Sequence, residues 1–260
     1  MANVLSRYGI KEVADVTFYK INETNGVAQI GEPVLYLDTL KVSTIEQTSE
    51  TTEARGGKGN AALIAWDYGK EITVTLEDAL YSPKSLALIY GGVDTDGNPV
   101  LGSSSVTITK TVWRENISYE SNTYYATLQG NKVKFSAVPT FYKVADNGDM
   151  EVVTVTGNAL DNKEWVYATG ELAIKDTIVI DVSASGFPGT YYVTGDTYAR
   201  SDTTGKDEYF QFIIPKAKVT SESNTITLEA EGDPSVFNMS LKVLRPKDGV
   251  MMKLVQYSAN

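Results

Sequence analysis

The sequence contains no cysteine and no histidine. Without cysteine there can be no disulfides, thiolate metal sites or cysteine nucleophiles, as is typical of a protein made in a reducing cytoplasm. Histidine is the commonest general base near neutral pH and the commonest metal ligand. Its absence therefore excludes serine-histidine-aspartate triads, zinc hydrolases and two-histidine iron sites. We expect no enzyme activity, no metal and no cofactor.

Long hydrophobic runs and an excess of basic charge are also missing. No apolar run approaches the roughly 18 residues that a membrane helix needs, and the first residues lack the basic and apolar regions of a signal peptide. The chain has 33 acidic and 23 basic residues, a net charge of −10. Because nucleic-acid affinity comes largely from lysine and arginine, specific nucleic-acid binding is disfavoured. We expect a protein made in the cytoplasm, without a membrane partner.

The composition that is present favours β-strands. The chain has 260 residues, of which 42% are hydrophobic and 16 are tyrosine. This is enough apolar side chain to fill a core without disulfides or a structural metal. An Asn-Gly pair at Asn147-Gly148 predicts a hairpin over residues 142–153. Segments that alternate apolar and polar side chains predict strands at Ile72–Leu80, Val106–Thr109, Val152–Val155, Thr177–Val182 and Thr225–Glu229. The sequence thus predicts a mostly β fold.

One short helix is predicted at residues 83–90. Ser82 is a good N-cap, Pro83 suits the first helical position and Gly91-Gly92 ends the helix. Leu86, Ile89 and Tyr90 are expected to form its apolar face. Since the helix has little more than two turns, it must be stabilised by packing on a sheet.

The stretch over residues 44–60 is polar and ends in a glycine-rich run. Such a segment buries too little area to order itself, so we expect a long loop that is mobile in the isolated subunit or ordered by a neighbour. Its candidate contact residues are Thr44, Glu46, Gln47, Thr48, Ser49, Glu50, Thr51, Thr52, Glu53, Ala54, Arg55, Gly56, Gly57, Lys58, Gly59 and Asn60.

Two groups of residues resemble catalytic or nucleotide-binding motifs, and each has a simpler interpretation. The run from Arg55 to Asn60 is rich in glycine, but Lys58 is followed by glycine rather than the Ser or Thr of a nucleotide loop. Glu77 and Asp78 are adjacent on a predicted strand, so they point to opposite faces and cannot act as a pair. A flexible loop and structural carboxylates are favoured.

Two further groups suggest ligand binding. Asp94, Asp96 and Asn98 alternate as in a calcium loop, but the glycine is misplaced and no glutamate closes the loop, which favours an ordinary turn. The pairs Tyr124-Tyr125 and Tyr191-Tyr192 suit a sugar-stacking platform, a strand surface or a protein interface.

Two segments resemble the tail tube proteins of long-tailed bacteriophages. The first is Gly69-Lys70-Glu71-Ile72-Thr73-Val74-Thr75-Leu76-Glu77-Asp78-Ala79-Leu80-Tyr81-Ser82-Pro83, which follows a polar loop with Gly56-Gly57. The second is Gly205-Lys206-Asp207-Glu208-Tyr209-Phe210-Gln211-Phe212-Ile213-Ile214-Pro215-Lys216-Ala217-Lys218-Val219, followed by Leu228-Glu229-Ala230-Glu231-Gly232-Asp233-Pro234. The likeness covers roughly residues 30–92 and 186–257.

The resemblance implies a β-sandwich with a flanking helix, whose copies form hexameric rings that stack into a conduit for DNA ejection. It implies a core of residues 1–100 and 186–260, with residues 101–185 as an inserted or elaborated β region. By position, the loop over residues 44–60 would join successive rings, and the strands Leu35–Val42 and Ile72–Leu80 would border the channel. The channel candidates are Asp38, Glu71 and Glu77, since an acidic wall repels DNA.

The same resemblance implies that the partners are copies of this chain and other phage tail proteins, in a virion assembled in the host cytoplasm. Other virion roles stay open, namely a tail terminator, a baseplate protein or a decoration protein. A carbohydrate-binding β-sandwich also stays open, and it would expose an aromatic platform. A hydrolase with paired carboxylates is disfavoured by the absence of histidine.

Overall fold

The fold is mostly β, as predicted. The computed structural model describes residues 7–220 and 236–257. Of the described residues, 62% lie in strands and 6% are helical. The described residues form several antiparallel sheets, with one α-helix and no closed barrel.

The described strands are, in chain order, β1 (Tyr8–Ile10), β2 (Asp15–Thr24), β3 (Val27–Leu37), β4 (Leu40–Gly56), β5 (Ala61–Asp78), β6 (Gly102–Trp113), β7 (Ile117–Glu120), β8 (Thr123–Leu128), β9 (Asn131–Lys134), β10 (Thr140–Val144), β11 (Met150–Val153), β12 (Tyr167–Val179), β13 (Thr190–Ser201), β14 (Asp207–Thr220), β15 (Phe237–Val243) and β16 (Lys253–Tyr257). The helix α1 is Pro83–Tyr90, and two short 3-10 helices are Arg114–Asn116 and Ala159–Asp161.

The chain divides into two compact units. The second unit is Gly102–Val179, and the first is formed by the described residues on either side of it. Each unit has its own hydrophobic core. That residues 101–185 elaborate a tail-tube core stays a prediction.

The first unit is built on a nine-stranded sheet. Its main strand order is β3-β2-β13-β14-β15-β5-β4, with β1 paired to β13 and β16 paired to β14. On β5, Ile72, Val74 and Leu76 are buried, whereas the side chains between them lie on the opposite face. This alternation is the predicted one, and it extends across the sheet because the neighbouring strand β15 buries Met239 and Leu241 in register.

The helix α1 forms where predicted. The side chain of Ser82 accepts a hydrogen bond from the Ser85 amide, and Gly91 ends the helix in the left-handed conformation at φ 77°. Leu88 and Ile89 pack into the core of the sheet. The predicted apolar face was partly wrong, because Leu88 is fully buried and Leu86 only half-buried.

Most of the other predicted elements are present. Residues 142–153 form a hairpin between β10 and β11, with Gly148 at φ 89° in its turn. The predicted strands at Val106–Thr109, Val152–Val155 and Thr177–Val182 overlap β6, β11 and β12. Thr225–Glu229 lies outside the described residues.

The prediction that residues 44–60 form a long loop is wrong. Residues 44–56 belong to β4, which pairs with β5 from Leu40 to Gly56, and only the turn at residues 57–60 is irregular. The physical reason is that backbone pairing with β5 orders a strand whose own side chains show no apolar periodicity.

The second unit has two small sheets, ordered β11-β10-β12-β6 and β7-β8-β9. Its core contains Trp165, whose indole Nε1 donates to the Ala159 carbonyl over 2.6 Å. The Arg114 guanidinium carbon lies 4.7 Å from the centre of the Trp165 ring, and its Nη2 donates to the Leu160 carbonyl over 2.7 Å. Arg114 thus ties the segment after the second 3-10 helix to the core.

A glycine in the middle of β13 makes room for an aromatic ring. Gly195 pairs with Phe212 of β14, and a Cβ atom at Gly195 would lie 2.1 Å from two atoms of the Phe212 ring. Phe212 is buried in the core of the first unit. The ring therefore occupies the space where any side chain at this position would stand.

Replacing Gly195 by alanine should lower the free energy of unfolding by about 2 kcal/mol or more, because the Phe212 ring has to leave its position. Gly9→Ala is the matched control, since a Cβ at Gly9 of β1 meets nothing within 4 Å. Urea unfolding followed by circular dichroism measures both. Equal midpoints for the two variants would contradict the close packing at Gly195.

Tyr191 connects the core to the turn over residues 94–99. Its ring packs edge-on against Phe18 at 5.9 Å, and its hydroxyl donates to the Gly97 carbonyl over 2.7 Å. Burial raises the pKa of Tyr191 to about 12. The folded state thus keeps this proton at a pH where an unfolded tyrosine, with its pKa near 10, has lost it.

Between pH 10 and pH 12 the unfolded state releases the Tyr191 proton first, so stability falls as the pH rises. Tyr191→Phe removes this dependence. At pH 8 the free energy of unfolding of the wild type should exceed that of the variant by about 1 kcal/mol, because of the hydrogen bond to Gly97. Between pH 8 and pH 11 this difference should decrease by about 1.4 kcal/mol. Urea unfolding of both proteins at the two pH values measures this, and a constant difference would contradict it.

Candidate assembly surfaces

The strands β4 and β5 continue far beyond the rest of the sheet as a two-stranded hairpin. β15 pairs with β5 only from Thr73 to Asp78, whereas β4 and β5 pair with each other to Gly56 and Ala61. Residues 47–56 and 61–72 form this extension, here called the distal hairpin. At about 3.3 Å per residue it projects about 30 Å.

One face of the distal hairpin carries three large apolar side chains of β5, beside Glu50 and Thr52 of β4, and we call it the apolar face. Ile64, Trp66 and Tyr68 alternate along β5 and are exposed by 53%, 52% and 53%. On the other face the Thr51 hydroxyl donates to Asp67 over 2.7 Å, and Arg55 pairs with Glu53 at 2.6 Å. Every side chain from Ala61 to Lys70 is exposed. Large apolar side chains on an uncovered hairpin mark a contact surface.

The glycine-rich run of the sequence forms the tip of this hairpin. The Asn60 amide donates to the Gly57 carbonyl over 3.2 Å, and Gly57, Gly59 and Asn60 all have positive φ. Glycine and asparagine tolerate this conformation, which explains their presence here. The run is therefore a tight turn between two strands.

An apolar groove lies in the first unit at the base of the hairpin. It has a volume of about 470 Å³, and its wall includes Ile10, Val13, Ile45, Phe210, Met252 and Leu254. Ile10 and Leu254 are more than half exposed, at 53% and 57%. This groove is a second uncovered apolar surface on the same unit.

Among the strands that the structure describes, the main order of the large sheet ends in two open edges, β3 and β4. β3 contains Pro33, which has no amide to donate and is typical of a protected edge. β4 runs for 17 residues without proline. A long edge strand of this kind presents a template on which another chain can pair.

The face of the sheet opposite the core is polar at the β4 side, and we call it the polar sheet face. It carries three glutamates and two lysines among hydroxyl and amide side chains. Its members are Val42, Thr44, Glu46, Thr48, Glu71, Thr73, Thr75, Glu77, Lys218, Thr220, Asn238, Ser240 and Lys242, of which only Val42 is apolar.

Two of the three channel candidates lie on the polar sheet face. Glu71 and Glu77 share it, and the Glu71 carboxylate pairs with Lys242 Nζ at 3.0 Å. Asp38 is exposed, but it lies in the short connection between β3 and β4, which interrupts the predicted strand Leu35–Val42. Their place in a channel stays a prediction.

The remaining carboxylate candidates have local structural contacts. Asp78 is buried and accepts a hydrogen bond from the Thr39 hydroxyl over 2.5 Å, whereas Glu77 lies on the opposite face. Asp94 accepts from the Asp96 amide and from the amide and side chain of Asn98, and the Asn98 bond lowers the pKa of Asp94. These residues form an Asx-type turn.

The two tyrosine pairs do not form a platform. Tyr124 is buried in the second unit, where its hydroxyl accepts from the Ala159 amide over 2.9 Å, and Tyr191 is buried in the first. Neither pair exposes both rings. Within residues 7–220 and 236–257, no group of three or more acidic side chains lies close enough to hold a metal ion. No helix in the same ranges has the length and apolarity to span a membrane.

The model of the YomU/Tube protein family matches residues 8–256, which is nearly the whole chain. The chain belongs to this family. The YomU/Tube family is one of phage tube-type structural proteins, so the resemblance seen in the two sequence segments is confirmed at this level. A comparison with curated proteins found no match.

Proposed function

We propose that this YomU/Tube protein is the subunit of a bacteriophage tail tube, which self-assembles into stacked hexameric rings that conduct DNA. The observation that carries the proposal is the distal hairpin, which exposes Ile64, Trp66 and Tyr68 on one face. The protein would be a virion component, and its further partners would be other tail proteins.

An isolated two-stranded hairpin is only marginally stable in water. The apolar face of the distal hairpin therefore gains stability when another surface covers it, and burial of apolar area contributes about 25 cal/mol per Å². Trp66 at the centre of this face is the type of residue that dominates binding energy at interfaces. This supports a contact between copies through the hairpin.

The groove at Ile10, Ile45 and Leu254 is an apolar surface on the same unit, so hairpin and groove support a head-to-tail contact between copies. Contacts between two different surfaces of one chain generate closed rings or extending filaments, depending on the rotation. The open edge of β4 supports a further contact by strand pairing. A stacked tube needs both lateral and lengthwise contacts.

The polar sheet face is our proposed channel wall. Its charged groups are three glutamates and two lysines, and Lys242 is occupied by Glu71. A wall with no excess of positive charge does not retain phosphates, which a conduit requires.

Replacing Trp66 by alanine should prevent tube formation while leaving the subunit folded. Trp66 is 52% exposed, so its loss should change the free energy of unfolding by no more than about 0.5 kcal/mol. Negative-stain microscopy of purified wild type should show tubes, and the variant should show single rings or monomers. Ala65→Ser, on the opposite face of the same strand, is the control and should still form tubes. Long tubes of Trp66→Ala would contradict the hairpin contact, and wild-type rings that never stack would favour a terminator or baseplate role.

Replacing Asp38 and Glu77 by lysine should leave tubes intact and slow genome ejection, because positive charge in the channel binds phosphate. This pair of substitutions keeps the ion pair of Glu71 with Lys242. Phage carrying Glu115→Lys and Glu164→Lys in the second unit provide the control with the same change of charge. Ejection should be slower only for the first pair, and less so at high salt. Equal ejection rates for both pairs would contradict the placement of Asp38 and Glu77 in the channel.

A further inference from the structure

The outer face of the four-stranded sheet in the second unit carries a row of aromatic rings. Val152, Tyr142, Tyr167 and Trp113 are paired in register on β11, β10, β12 and β6. Trp113 is 52% exposed, and its ring centre lies 4.3 Å from that of Tyr167. With strands about 4.8 Å apart, the row is about 14 Å long. We call these four residues the aromatic row.

The aromatic row contributes no side chain to the core of its unit. The next register position, with Val112, Ala168 and Phe141, points to the opposite face and is buried there. Alternate residues of a strand face opposite sides, so the sheet has its core on one face. On the other face, the exposed Trp113 and Val152 lie beside the half-buried Tyr142 and Tyr167. An exposed tryptophan in such a row is characteristic of a binding surface.

The neighbouring row on the same outer face is made of hydroxyl side chains. Thr140, Thr169 and Thr111 are paired across β10, β12 and β6, and the hydroxyls of Thr111 and Thr169 are 2.8 Å apart. None of the seven residues of these two rows is charged. The two rows therefore combine apolar rings with neutral donors and acceptors. The next position of the same face adds the exposed carboxylate of Glu171, which disfavours an anionic partner.

We propose that the aromatic row binds a neutral oligosaccharide through its pyranose rings. A pyranose ring has an apolar C–H face that stacks on an aromatic ring, and hydroxyl groups at its edge that hydrogen-bond to neutral side chains. The aromatic row supplies the stacking surface, and the threonine row supplies the hydroxyls. Its length suits a chain of several sugars.

This site is separate from the proposed tube contacts, because its residues belong to the second unit and the distal hairpin belongs to the first. The chain also offers a matched pair of residues for a test. Trp113 and Trp66 are each 52% exposed, one in each unit. Substituting each by alanine removes the same side chain from a surface of equal exposure.

The test uses the full-length protein and isothermal titration with cellohexaose, maltohexaose and chitohexaose, with hexagalacturonate as the charged comparison. Wild type should bind at least one of the three neutral sugars and not hexagalacturonate. Trp113→Ala should weaken this binding about tenfold or more, which corresponds to 1.4 kcal/mol, and Tyr167→Ala should weaken it as well. Trp66→Ala should bind the sugar as wild type does, even though it fails to form tubes. Near-UV circular dichroism checks that the core around Trp165 is intact.

The outcomes separate the two proposals. If Trp113→Ala still forms tubes but no longer binds the sugar, the sugar site is supported. This holds whether or not Trp66→Ala forms tubes. Wild type that binds none of the three neutral sugars, or that binds hexagalacturonate equally well, overturns it. Sugar binding that Trp113→Ala leaves unchanged also overturns it. Loss of tubes on Trp113→Ala with no sugar binding would assign the aromatic row to contacts between copies instead.

Discussion

The nine-stranded sheet depends on one constraint, which is that its central strands keep their buried apolar side chains on the same face. A shift in register by one residue would exchange the two faces of a strand, so pairing and burial specify each other. Ile72 and Leu76 of β5 meet the core together with Leu241 of β15 because the register holds them there. The polar sheet face on the other side follows from the same alternation.

This constraint also explains where the hairpin begins to stand free. β5 loses its second neighbour at the position of Thr73, and from Glu71 to the tip every side chain of the strand is exposed. The sequence changes at the same place, since apolar residues no longer alternate with hydroxyls but cluster as Leu63, Ile64 and Trp66. A hairpin that served only the fold of the subunit would not need such residues. Their presence is the observation on which the proposed contact between copies rests.

The elements that could be predicted are those with short-range signals. The alternation from Ile72 to Glu77 and the caps at Ser82 and Gly91 each lie within a few residues, and the structure has both elements at those places. The distal hairpin could not be predicted from the sequence, because its polar strand β4 is ordered by pairing with β5. Such pairing leaves no apolar periodicity in the sequence of β4. The ion pair of Glu71 with Lys242 and the neighbours Trp113 and Tyr167 depend on register between distant segments. Such contacts are visible only after the sheets are assembled.

The second unit begins and ends on a single pair of strands. Gly102, the first residue of β6, lies directly opposite Val179, the last residue of β12. Opposed residues of antiparallel strands have Cα atoms about 5 Å apart, so the chain leaves the first unit and returns to it at nearly the same point. A link of a few residues between Leu101 and Ile180 is therefore long enough to replace the whole unit. The two ends of the second unit thus lie close enough together for a domain to be removed or inserted here without changing the path of the remaining strands.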